Sequence, residues 1–184
     1  MSELIVLAVI AGLAAYVVFM YNNLVRLRNM VMNAWSDIDV QLKRRYTLVP
    51  QLVDTVKGYA KHEKQLLEDL TEARTKAKAN EGTPAEQGET EKALSGALMN
   101  VLAVAENYPD LKANENFAKL QAELSETEDK IALSRRFYNG SVRALNNACD
   151  MFPSNLIAKA FSFRHAEFFE VEDDARAPAA VNFD

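Results

Sequence analysis

A single cysteine, Cys149, excludes an intramolecular disulfide and leaves the redox compartment open. Histidine is almost as scarce, with only His62 and His165. A di-iron site built into a helical bundle needs paired Glu-x-x-His motifs, and neither histidine has a glutamate three residues before it. His62-Glu63 begins like a zinc-protease helix, but the residue four beyond His62 is Leu66 rather than a second histidine. Glycine-rich phosphate loops and the Gly-x-Ser-x-Gly nucleophile elbow are missing. Six glycines and five prolines in 184 residues exclude collagen-like repeats and long loops. Strand-like alternation is confined to Ala160–Phe163, which is too short to form a sheet. There is no basic surplus either. The net charge of −5 arises from Glu167 onward, where six acids face Arg176 alone, so residues 1–166 are neutral and lack the footprint of a nucleic-acid binder.

Charge is also absent from Leu4 to Tyr21, eighteen residues without a proline, and the first base is Arg26. At 1.5 Å per residue this run spans roughly 27 Å, close to the hydrocarbon thickness of a bilayer. Ten of the eighteen are Leu, Ile, Val or Phe, worth roughly −3 to −6 kcal/mol on an insertion scale. A cleaved secretory signal would carry Lys or Arg ahead of the run, where only Ser2 and Glu3 stand. A helix of a soluble protein normally shows a polar face, which this run lacks, so a wholly buried core helix is the lesser rival. The reading is a single-pass anchor with the bilayer as partner of residues 4–21. Arg26, Arg28, Lys43, Arg44 and Arg45 follow the span, which by the positive-inside rule puts the N-terminus outside and the body in the cytoplasm, at the cell (inner) membrane.

Beyond the anchor, apolar residues recur every three or four positions. Leu24, Leu27, Val31, Trp35, Ile38 and Leu42 form one stripe, and Pro50 predicts a kink or tight corner after it. A second stripe runs from Leu52 and Val53 through Val56, Tyr59, Leu66, Leu70 and Ala73 to Ala77, fading into an expected loop over Asn80–Gly88. A third helix carries Leu94, Leu98, Val101 and Ala105 and stops near Asn107-Tyr108-Pro109. The fourth and longest expected helix runs from Phe117 to Cys149 and ends at Phe152-Pro153, with Ser154 placed to cap a short helix over Asn155–Phe161. The predicted fold class is all-α: a transmembrane helix (residues 1–21, span 4–21), an antiparallel up-and-down bundle of three to four long helices (22–166), and an acidic extended tail (167–184).

Several polar clusters interrupt the stripes. Asn33-Ala34-Trp35-Ser36-Asp37-Ile38-Asp39, Glu128-Asp129-Lys130 and Arg135-Arg136-Phe137-Tyr138-Asn139 permit two readings. The simpler is a solvated face with pairs one turn apart such as Asp39 with Lys43, each worth about 0.3 kcal/mol. The sharper is an interhelical network in which Arg135 or Arg136 reaches Asp37, Asp39 or another acid. Trp35 stands fourteen residues past Tyr21, roughly 21 Å along a helix, too far for an interfacial aromatic and suited to the bundle interior. Cys149 lies on an apolar stripe and reads as a small buried hydrophobe.

The order of these segments carries a resemblance. Tyr21-Asn22-Asn23-Leu24-Val25-Arg26-Leu27-Arg28-Asn29 leads into Asn33-Ala34-Trp35-Ser36-Asp37-Ile38-Asp39-Val40-Gln41-Leu42-Lys43-Arg44-Arg45-Tyr46. Pro50-Gln51-Leu52-Val53, Glu106-Asn107-Tyr108-Pro109, Thr127-Glu128-Asp129-Lys130-Ile131-Ala132 and Phe152-Pro153-Ser154-Asn155 follow. From about Tyr21 to Phe183 the chain resembles the LemA family, least so around Ala79–Glu91. The resemblance implies a bacterial single-pass membrane protein with an antiparallel helical bundle, and it brings no catalytic residue, cofactor or metal ligand. The expected function is therefore that of a membrane-anchored interaction or scaffold protein, not an enzyme, with an unnamed protein partner. A structural protein that self-assembles into homo-oligomers is the alternative, and an enzyme of unfamiliar type the second.

Overall fold

The computed structural model describes residues 1–169. Six helices follow one another: α1 (Ser2–Tyr59), α2 (Lys64–Ala79), α3 (Pro84–Ala105), α4 (Pro109–Lys112), α5 (Glu115–Asp150) and α6 (Ser154–Ala160). Among the described residues there is no strand, and the all-α bundle expected from the periodicity is the fold.

Helix α1 is continuous for 58 residues, roughly 87 Å. Through Phe19 every residue is exposed, because nothing packs on it. From Leu24 onward Val31, Ala34, Ile38, Leu42, Tyr46, Val49, Leu52 and Val56 are buried at helical spacing against the bundle. Pro50 does not end the helix, so of the kink or tight corner expected there the corner does not form. Its missing N–H orphans the Tyr46 carbonyl one turn back. Arg74 of α2 repairs this, its Nε donating to Tyr46 O at 2.7 Å. The corner instead falls at Ala60–Glu63, where the Ala60 amide closes the last turn on Val56 O at 2.8 Å. The expected second stripe is thus divided, Leu52–Tyr59 ending α1 and Leu66–Ala77 forming α2. For the same reason α1, not the 36-residue α5, is the longest helix.

The loop expected over Asn80–Gly88 is also shorter. Thr83 and Glu86 form a reciprocal capping box, Thr83 N donating to Glu86 Oε2 at 2.8 Å and Glu86 N to Thr83 Oγ1 at 3.4 Å. Pro84 occupies the first helical position, where an N–H has no intrahelical partner anyway. Asn114 caps α5 by accepting from Phe117 N at 3.0 Å. Ser154 does not cap α6; its hydroxyl donates back to Met151 O at 2.9 Å.

Antiparallel α1 and α5 form the backbone of the molecule. The register is constant along the pair: Tyr59 meets Asn114, Arg45 meets Glu128, and Trp35 meets Tyr138. Helices α2 and α3 pack on the far half only, making it a four-helix up-and-down bundle. Nearer the apolar segment, α1 and α5 are joined by α6 and by the extended stretch ending at Phe169. That stretch is held by two asparagines of α5. Asn146 exchanges both amide bonds with Ala166 (2.9 and 3.0 Å), and Asn139 does the same with Phe169 (both 3.0 Å). Phe169 is buried beside Trp35, with ring centroids 6.0 Å apart. The remainder of the acidic segment lies outside the described residues.

Candidate functional site

The apolar stripes of α1 and α3 each contain charges where an aliphatic residue is expected. Arg45 stands between Leu42 and Val49 on α1, and Glu91 stands one turn before Leu94 on α3. Both are inside. Arg45 is 1% exposed, and its Nη2 is paired with the equally enclosed Glu91 carboxylate. Its Nη1 donates to Glu128 of α5 at 2.6 Å and to Ser95 of α3 at 2.8 Å. Three helices therefore converge on one guanidinium, whose planar fork suits two acceptors at once.

Tyr46 extends the cluster. Its hydroxyl donates to Glu91 Oε1 and accepts from Gln87 Nε2 at 3.1 Å, while Gln87 also reaches Ala77 O at 3.1 Å and Glu91 Oε1 at 2.7 Å. Burial, and then the bond to the Glu91 carboxylate, push the Tyr46 phenol well above its ordinary range. Both Glu91 oxygens are spent on Arg45, Tyr46 and Gln87, so this carboxylate offers no free ligand position. Among the described residues no group of three His, Cys, Asp or Glu side chains could hold a metal ion. The cluster's chemical effect is mechanical: it ties α1, α2, α3 and α5 into one register.

The residues singled out by the sequence are scattered. Asp39 pairs with Lys43 at 2.5 Å on the solvent face, as the simpler reading expected. Arg136 donates to Ala132 O of its own helix at 3.4 Å, and among the described residues neither Arg135 nor Arg136 pairs with Asp37 or Asp39. An interhelical network does exist, but Arg45 centres it. Sequence reasoning missed it; the signal that could have found it is a charge standing within an apolar stripe. Trp35 packs in the bundle, 5.4 Å from the Tyr138 ring. Burial raises the Tyr138 phenol to about 12, with Glu167 adding to the effect. Cys149 is buried, and burial with neighbouring Asp150 raises its thiol away from the thiolate form. His62 lies exposed in the α1–α2 corner, and His165 sits 3.0 Å from Asp150 on the surface.

Two hollows border this framework. A groove of about 790 Å³ lies between the end of α1 and α2, floored by Val53, Ala60 and Leu67 and rimmed by Lys57, Lys61, Lys64, Glu68 and Glu72. A cleft of about 340 Å³ lies beside Trp35, Leu42 and Tyr46 under the α2–α3 loop. Neither brings a nucleophile and a base together.

A helical bundle pinned by a buried arginine–carboxylate cluster, carried on an apolar N-terminal helix long enough to cross a membrane, defines the class: an all-helical protein with a candidate transmembrane anchor. The LemA family model matches residues 34–183, and the chain belongs to that family. It is 28% identical over 158 residues to Protein LemA of Metamycoplasma hominis, covering 84% of this chain and 71% of that one. It is 26% identical over 198 residues to Magnetosome protein MamQ 2 of Paramagnetospirillum magneticum, covering 94% and 72%. With Magnetosome protein MamQ of Magnetospirillum gryphiswaldense it shares 25% identity over 183 residues, covering 86% and 67%.

Proposed function

We propose that this chain is a membrane-tethered scaffold. Residues 4–21 anchor it once through the inner membrane, residues 22–166 form a rigid helical arm on the cytoplasmic side, and residues 167–184 add an acidic segment. The observation that carries this reading is the continuity of α1. The apolar segment and the bundle's central helix are one helix of 58 residues, without a hinge between them. A tether for a mobile enzyme domain has no need of such stiffness, whereas a spacer that presents a surface at fixed height does. Photo-crosslinkers at Val40 and Phe137 in native membranes should yield adducts with a protein partner. Absence of any adduct would end the proposal. A reporter fused to Asp184 tests sidedness, and its activity in the cytoplasm is the expected result.

Self-assembly in the membrane plane is the second reading. It is favoured by large apolar side chains exposed on the α1–α5 flank: Phe137 with Leu133 one turn away, and Val40 of α1. Two such flanks placed side by side would cover each other. Light scattering of the detergent-solubilised chain across concentrations should then report a dimer or larger, and a strict monomer would exclude it.

A further inference from the structure

The α1–α5 register has a consequence at the bundle's lower end. Continued from Trp35 opposite Tyr138, it sets Phe152 opposite Tyr21, the last residue of the expected membrane span. The rings agree: Phe161 lies 4.8 Å from Tyr21 and Phe163 5.8 Å. Ser162, in the left-handed region at φ 56°, ends α6 and turns Phe163 inward. The bundle therefore begins where the exposed apolar helix stops. At this level four large apolar side chains face outward: Met151 (63% exposed), Phe152 (78%), Leu156 (56%) and Phe161 (53%). At the opposite end, around the α1–α2 corner and α4, Tyr59 is the only large exposed hydrophobe among the described residues.

We propose that the α5–α6 corner is a second membrane contact, with Met151, Phe152, Leu156 and Phe161 inserted into the lipid interface beside the anchor. The occupant is lipid because the surface is continuous with the segment that spans the bilayer, and an apolar patch of this kind is buried at the level where headgroups meet acyl chains. Its flanks fit anionic headgroups: Arg26 and Lys159 are exposed, Arg164 is exposed beyond α6, and Arg28 lies 5.4 Å over the Phe163 ring. Asp150, at the end of α5, lies within hydrogen-bond distance of His165 at 3.0 Å. One insertion point lets a rod swivel and tilt; two fix its orientation. The inference rests on residues 4–21 being embedded.

The full-length chain carrying Phe152→Trp is reconstituted into vesicles of phosphatidylcholine and phosphatidylglycerol, with flotation reporting the anchor separately. Native Trp35, roughly 21 Å further along α1, is the internal reference. The emission of the introduced tryptophan should shift to the blue. Lipid brominated high in its acyl chains should quench it about twofold, leaving Trp35 in the parent chain unchanged. The indole introduced by Met99→Trp on α3 should remain red-shifted and unquenched. Leu156→Trp gives an independent readout with the same expectation as Phe152→Trp, and helicity matching the parent certifies each variant. Floating protein in which the indole at position 152 behaves like the one at position 99 overturns the inference alone. So does a blue shift without quenching, because protein rather than lipid would then cover the corner. Protein that fails to float overturns the anchor and this contact together.

Discussion

The two halves of the bundle solve the same packing problem with different chemistry. The far half joins four helices around a buried cation and carboxylate, Arg45 and Glu91, with Tyr46, Gln87, Ser95 and Glu128 bonded to them. The near half joins α1 and α5 mainly through neutral groups: asparagines clasping the backbone of Ala166 and Phe169, and tilted or edge-on ring pairs around Trp35 and Tyr21. A buried ion pair is directional and severe when broken, because the surviving charge stays desolvated. A neutral amide clasp is more forgiving, since a freed backbone group near the surface can turn to water. The far half should therefore set the register of the helices, and the near half should hold a strap whose loss leaves the helices standing.

The largest expected effect breaks that contrast on its charged side. Arg45→Met strands Glu91 and should cost about 3–5 kcal/mol in denaturant unfolding of the solubilised chain. Adding Glu91→Leu should recover most of the loss, because no buried charge is left alone; failure to recover would mean that shape, not charge, dominates there. Alkaline titration comes next. Tyr46, Tyr108 and Tyr138 all have raised phenols, Tyr138 to about 12. Each folded value lies above its unfolded one, near 10. The protonated phenols therefore favour the native state fully below that pH, and for Tyr138 the contribution is lost as pH rises through about 12. Phenolate absorbance should show these tyrosines ionising late and, in denaturant, merging with the rest. On the neutral side, Asn139→Ala removes both bonds to Phe169 and should cost about 1–2 kcal/mol. Faster amide exchange at Phe169, with α5 protection unchanged, is the mark of a released strap. The smallest effect concerns Arg74→Ala, which leaves the Tyr46 carbonyl unpaired and should cost about 1 kcal/mol. In a Pro50→Ala background the restored main-chain bond should shrink that penalty, as a double-mutant cycle can measure.

Much of the fold is legible because it follows from periodicity. The stripes of α1, α3 and α5, the interior position of Trp35 and the Asp39–Lys43 pair are all local consequences of 3.6-residue spacing. Pro50 misleads because its remedy, the guanidinium of Arg74, comes from another helix. The α1–α2 corner is hidden for the opposite reason: Lys61-His62-Glu63 contains no glycine or proline to announce a turn. The Thr83–Glu86 box is present in the letters but is masked by the loop-like composition around it. In the central cluster, Arg45 reads first as a charge bearing on topology, although its place in the stripe marks it as interior.

What the sequence determined by itself was the kind of surface each segment carries: an apolar cylinder over Leu4–Tyr21, one-sided helices after it, and an excess of acid at the end. These depend on neighbours within a turn or two. Tertiary structure alone decided whether Pro50 would break α1, which helix would satisfy Arg45, and which exposed rings would line up with the end of the apolar segment. Each of those outcomes depends on groups far apart in the chain meeting at hydrogen-bond or van der Waals distance. No local periodicity encodes such a meeting.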